Sequence, residues 1–227
     1  MVRLSKDFFY SFFQGFFIFI FLVTIILLSL FFLEYLSKII VPSQEKKIVD
    51  QEAIKIKRAY PKGEFSFKKC GSFEQGNLKG WAAWGQAFKF QPTYEDNPFF
   101  RGIPLRSNIE GKFWIGTFEK RPNRSYAQGT VLGDEYIGTL TSQEFLITKP
   151  ILSFLLGGGK GSNTCVELLI AGEVVLRKSG ENLETMRRIK WDVSVYKEKR
   201  ARICLVDYAR GDWGHINFDD LKLEDAE

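Results

Sequence analysis

The stretch CVELLIAGEVVLRK, residues 165–178, sets the class of the fold. Two runs rich in Val, Leu and Ile flank Ala171-Gly172, a two-residue turn, so the stretch reads as a β-hairpin. The same texture extends both ways. Short apolar runs broken by Gly, Asn, Asp or Pro predict further strands at 112–118, 138–147, 151–156, 187–193, 201–207 and 215–223. In Ala201–Val206 the residues alternate: Ile203 and Leu205 face one way, Arg202 and Cys204 the other. No helix-period segment of convincing length and no internal repeat occurs after residue 64. About 160 residues suffice for one sandwich with its own core.

Composition separates this region from what precedes it. Of 22 Phe, ten lie in the first 40 residues, while all five Trp lie beyond residue 64. Residues 1–64 carry nine Lys/Arg against six Asp/Glu, and residues 65–227 carry 23 against 21. The second part is close to neutral, which argues against nucleic acid as a partner despite a chain charge of +5. One His cannot supply a conventional zinc site, and three Cys do not make a disulfide scaffold. Cys165 and Cys204 lie within predicted strands as small buried residues; a disulfide with or without Cys70 stays open.

From Phe8 to Leu33 run 26 residues without a charge. As a helix they reach about 39 Å, enough to cross a hydrocarbon core of about 30 Å with tilt. No small-residue cleavage site follows, so residues 1–40 are expected to be an uncleaved single-span anchor in the lipid bilayer. Residues 41–64, rich in Lys and Glu after Pro42, are expected to be a charged stalk, and residues 65–227 the folded domain. Lys38, Lys46 and Lys47 outnumber Arg3 and Lys6, which favours a cytoplasmic C-terminal side.

The order of short motifs carries a resemblance. FEQGNLKGW (73–81), AF (87–88), GTLTSQEFLI (138–147), ILSFLLGGG (151–159), ELLIAGEVV (167–175), KWDVS (190–194), ARICLVD (201–207) and WGHINFDDLKL (213–223) follow one another through residues 70–224. This series resembles the fructan-binding carbohydrate-binding modules of family 66, jelly-roll β-sandwiches of the galactose-binding-like kind. The resemblance implies an all-β jelly roll behind the anchor, a glycan or sugar terminus as partner, and placement outside the cytoplasm. That placement opposes the lysine count, and the outer side is the reading adopted. The resemblance further implies that Glu74 and Asp219, with Asp220 in reserve, meet at the domain's termini and hold a structural calcium. Calcium takes six to eight oxygens, and the alternative is carboxylates bonded to turn amides without metal.

Candidate ligand contacts gather near one loop. A sugar needs an aromatic platform beside polar groups, and Asp207, Trp213 and His215 offer both within nine residues. The run Gly157-Gly158-Gly159-Lys160-Gly161 lacks the P-loop pattern. By resemblance this loop borders the sugar site, with Gly158 and Gly159 letting a ligand approach the backbone, and Glu119 adds a polar contact. The other reading of each is structural: Trp213 as rim packing, His215 as a satisfied core donor, the glycines as a loop at the sheet edge. Trp81, Trp84, Trp114 and Trp191 read as core or edge packing. Asn123-Arg124-Ser125 matches a glycosylation sequon by pattern only.

Catalysis finds little support. His215 would be the only imidazole base, and no G-x-S-x-G elbow occurs, although composition leaves carboxylate pairs open. The sequence therefore predicts a membrane-anchored, non-catalytic carbohydrate-binding module. The rival is a membrane-anchored protein-interaction or assembly domain on the same fold.

Overall fold

A computed structural model of the chain describes residues 56–226. The expected span at 8–33, its orientation and the tether up to Lys55 lie outside the described residues. No helix among the described residues is long and apolar enough to cross a membrane.

Eleven strands form two antiparallel sheets among the described residues: β1 Trp81–Gly85, β2 Thr93–Tyr94, β3 Phe113–Gly116, β4 Gly138–Ser142, β5 Phe145–Leu146, β6 Ile151–Gly158, β7 Thr164–Ile170, β8 Glu173–Ser179, β9 Leu183–Asp192, β10 Arg200–Asp207 and β11 Ile216–Glu224. One sheet has the order β1-β4-β10-β7-β8, with β5 also paired to β10; the other is β2-β3-β11-β6-β9. The helices are single turns at Phe67–Cys70, Asn97–Phe100 and Ser194–Tyr196.

The predicted strands occur, with ends shifted by a few residues. The expected 138–147 strand divides into β4 and β5, because Gln143 and Glu144 leave the sheet between them. Sequence reading passed over β1 and β2. WAAWG is rich in Ala and Gly, and β2 is two residues long, so neither carries a strand signal of its own. The 165–178 hairpin closes as expected, with Ala171 at φ 53 and Gly172 at φ 86, a pair of left-handed residues as a two-residue turn requires.

Alternation builds the core. On β10, Ala201, Ile203 and Leu205 point between the sheets, where they join Val166 and Leu168 of β7 and Phe154, Leu156, Ile216 and Phe218 of the opposite sheet. Trp81 lies in this core and donates its indole N–H to the Cys70 carbonyl at 2.9 Å. Trp114 is fully buried in a smaller cluster with Leu155 and Met186, and Trp191 packs on Phe154. Trp84 stacks on Tyr208 at the sheet margin. All four fill packing roles, as the sequence suggested.

Cys165 and Cys204 are buried together on the outer face of the first sheet, with Leu169, Val206 and Ile56. All three cysteines are free thiols. Residues 56–64 run along this face. The Lys57 N–H donates to the Tyr208 hydroxyl at 3.0 Å, and the Lys57 carbonyl accepts from Thr139 at 2.8 Å. Arg58 meets the wholly buried Glu167 at 2.5 Å, Arg202 donates to the Pro61 carbonyl, and Glu64 bridges Glu144.

The topology also decides where loops gather. β10 lies inside one sheet and β11 inside the other, so 208–215 must cross between sheets. The 117–137 and 159–163 connections make the same crossing. The register puts all three at one end: Asp207 aligns with Gly138 and Thr164, and Asn217 with Gly116 and Gly157.

Candidate functional site

A buried polar network occupies this end of the sandwich. Its first part comes from the 117–137 crossover. Gln91 clamps the end of β3 through the Gly116 N–H and carbonyl, which leaves Glu119 turned inward with its side chain 1% exposed. Such a carboxylate requires partners. Asn97 donates to one Glu119 oxygen at 2.5 Å, and Arg101 Nη2 reaches the other at 2.9 Å. Burial pushes the Glu119 carboxyl upward in pKa, and Arg101 offsets only part of it.

The second part comes from β9 and β11. The same Arg101 Nη2 donates to Glu184 at 2.5 Å, and Asn217 Nδ2 donates to the other Glu184 oxygen at 2.9 Å. Burial raises the Glu184 carboxyl, but His215, Asn217 and Arg101 outweigh it and hold it at about 2. His215 Nδ1 lies 2.9 Å from Asp134. Its Nε2 is 3.8 Å from Glu184, near enough for charge attraction and too far for a hydrogen bond. Burial lowers the imidazole, yet the two carboxylates prevail and push it up to about 9, so the ring is an imidazolium at neutral pH.

Rings frame the network. Trp213 lies 5.4 Å and Phe118 5.3 Å from the His215 ring, and the Arg101 guanidinium sits 4.7 Å over Phe118. Asp207 closes the inner side, 1% exposed, where burial pushes its carboxyl up to about 8. Several buried atoms here have no hydrogen-bond partner: Asp207 Oδ1, Asn217 Oδ1, Thr164 Oγ1 and His215 Nε2.

The structure thus brings Glu119, Asp207, Trp213, His215, Gly158 and Gly159 to one end of the domain. The glycines act differently from the expectation. A Cβ on Gly158 would fall 2.4 Å from the His215 carbonyl, and one on Gly159 would fall 2.1 Å from the Trp213 carbonyl. The Gly159 N–H is spent on the His215 carbonyl at 2.9 Å. What approaches these glycines is the chain's own 213–216 segment, so they position His215 and Trp213. His215 is half of what its structural reading required, with Nδ1 bonded and Nε2 free of a hydrogen bond.

Sequence reading missed Arg101, Glu184, Asp134, Asn97 and Asn217. Each looks like an ordinary surface polar residue, and only the crossovers bring them together. Asn217 alone carried a signal, since it follows WGHI within a strand and shares the β-face of His215.

The calcium expectation meets a different arrangement. Asp219 accepts backbone N–H bonds on both oxygens, from Glu110 and Asp220, and Glu74 Oε1 accepts two, from Lys112 and Phe113. Asp220 is turned to Arg188 and Lys222. These bonds match the alternative reading, carboxylates held by nearby backbone amides. No group of three or more His, Cys, Asp or Glu among the described residues could hold a metal ion.

No family model matches the chain. Over 144 residues it is 32% identical to the protein named "Putative glycosyl hydrolase ecdE" of Aspergillus rugulosus, a stretch that takes in 63% of this chain and 18% of that protein. The chain therefore spans less than a fifth of this relative. Among solved structures, it is similar to TmCBM61 in complex with β-1,4-galactotriose, with TM-score 0.46 and 16% identity over 71% of this chain and 99% of that one. The K2 cleaved adhesin domain of Lys-gingipain gives TM-score 0.41 and 12% identity, over 69% and 97%. Likeness at this level decides nothing about the site.

Proposed function

We propose that the chain is a membrane-anchored, non-catalytic jelly-roll module whose polar end binds a sugar terminus or surface glycan on the extracytoplasmic side. One observation carries the reading. At the meeting of three crossovers, the His215 ring lies 5.4 Å from Trp213 and 5.3 Å from Phe118, with Asp134 and Glu184 facing its two nitrogens. Aromatic faces beside charged and amide groups suit a ligand with apolar faces and many hydroxyls.

Two arguments favour binding over catalysis. His215 keeps its proton to about pH 9 and is no general base at neutral pH. Glu119 and Glu184 share one guanidinium, so Arg101 fills the space between them that a glycosidic oxygen would need. The relative supports the same reading, because a match to 18% of a protein named as a glycosyl hydrolase suits an accessory domain.

The test is saturable binding of the full chain to a panel of fructan and cell-wall oligosaccharides, measured by titration calorimetry. Trp213→Ala is expected to abolish the binding while the unfolding midpoint holds. No saturable binding to any member of the panel would overturn the proposal. Protein partners that co-purify equally well with Trp213→Ala would point to the assembly reading instead.

A further inference from the structure

The turn that sends Asn97 and Arg101 into the polar network turns Phe99 and Phe100 between them outward. Phe99 and Phe100 are 37% and 38% exposed, and Leu105 is 62% exposed. Pro104 is exposed beside it. The segment PFFRGIPLR, residues 98–106, contains no acidic residue, and its first Arg is committed to Glu119 and Glu184. Cations surround the tip. Arg106 stacks 3.5 Å over Phe99 and lies 3.7 Å from Asp96, Arg121 lies 5.4 Å over Phe100 and bonds Glu95 at 2.9 Å, and Arg124 donates to the Tyr94 hydroxyl at 2.6 Å with its guanidinium at the surface.

We infer that this loop, with Phe99, Phe100 and Leu105 at its tip and Arg106 and Arg124 at its flank, docks onto an anionic phospholipid bilayer surface. A sugar would need open ring faces, and guanidinium groups cover those of Phe99 and Phe100. An apolar tip with basic flanks and no carboxylate of its own suits a headgroup boundary, where rings and aliphatic groups enter the acyl margin and guanidinium groups meet phosphate. A chain with 26 uncharged residues at 8–33 has a bilayer at hand, and the inference rests on that reading of the run as a span.

The experiment uses the full chain in vesicles of phosphatidylcholine alone or with about 30% phosphatidylglycerol. A spin label is placed at Leu105→Cys or, as a control, at Val195→Cys, which is 81% exposed in the single-turn helix Ser194–Tyr196. The native cysteines are buried, and near-UV circular dichroism checks that each variant is folded. On anionic vesicles the Leu105 label is expected to lose accessibility to a water-soluble relaxant and gain accessibility to oxygen, while the Val195 label stays aqueous. Arg106→Glu with Arg124→Glu is expected to reverse the shift. A Leu105 label that stays aqueous on vesicles retaining the chain overturns the docking and leaves the span intact. A chain that does not sediment with vesicles overturns both. Shielding without lipid that fades on dilution assigns the loop to a second copy and likewise overturns the inference.

Discussion

His215 Nδ1 lies 2.9 Å from Asp134 Oδ1, and this contact joins the crossover that leads into β11 to the one that leads into β4. Two loops 81 residues apart are tied by a charged hydrogen bond at the centre of the candidate site.

That contact predicts an alkaline limb of instability. The ordinary histidine value is about 6.5, and His215 is raised to about 9, so between these values the folded chain keeps a proton that the unfolded chain has lost. Its contribution is complete below about pH 6.5 and is lost as pH rises through about 9. Asp207 and Asp219, both pushed up to about 8 by burial, also make stability fall with rising pH above the ordinary carboxylate range. Glu184, held at about 2, acts oppositely and withdraws its contribution as pH falls from about 4.5 towards 2. Urea unfolding should therefore show greatest stability at mildly acidic pH, with Asp207→Asn flattening the descent. The chain has one His, so its proton resonance can be followed without ambiguity. A midpoint of titration below 7, or stability that rises from mildly acidic to alkaline pH, would contradict the arrangement.

Arg101 is expected to matter more for stability than an ordinary half-buried residue. Arg101→Ala leaves Glu119 buried with Asn97 as its remaining side-chain partner, and Glu184 loses a bond as well. Removing one partner of a buried ion pair costs about 3–5 kcal/mol. Arg101→Ala with Glu119→Gln should cost less than the sum of the two, since both act on one network. Denaturant midpoints of the four-member cycle measure this, and additivity would show that the residues do not interact.

Arg58 should act as a clasp. Glu167 is wholly buried between Arg58 and Arg177, with Arg177 Nη2 at 2.6 Å. Arg58→Ala removes one charged hydrogen bond, a loss of roughly 2 kcal/mol. It should also loosen residues 56–64 over Cys165 and Cys204, whose thiols burial pushes up to about 12 and about 11. Both cysteines are expected to react slowly with a thiol reagent in the parent chain and faster in Arg58→Ala. Equal rates would mean that this segment is not what shields them.

Calcium should leave the fold unchanged. Asp219 and Glu74 already receive four backbone N–H bonds, so added calcium or a chelator is not expected to move the thermal midpoint. A ligand that binds only the native state raises that midpoint, and the rise grows with the logarithm of its concentration above Kd. A calcium-dependent rise abolished by Asp219→Asn would show that the amides yield to the metal.

The sequence was most legible where a single strand carries its own signal. Alternation in Ala201–Val206 and the two-residue turn at Ala171-Gly172 follow from local sterics and burial, so they could be read without a partner strand. Trp213, His215 and Asp207 could be nominated by chemical type, since few residues combine rings, charge and hydroxyl recognition, whereas Glu119 was nominated by the resemblance alone. The weak strands β1 and β2 were missed because neighbouring strands, rather than their own composition, hold them in the sheet. By itself the sequence determined the sandwich class and the short loop that supplies half of the candidate site. Only tertiary structure decided that Arg101, Glu184, Asp134 and Asn217 belong with it. Their burial and charge depend on strand register and on three crossovers meeting at one end, and pairing across two sheets is not encoded in local spacing. The same cause altered the role of Gly158 and Gly159, which make room for His215 and Trp213.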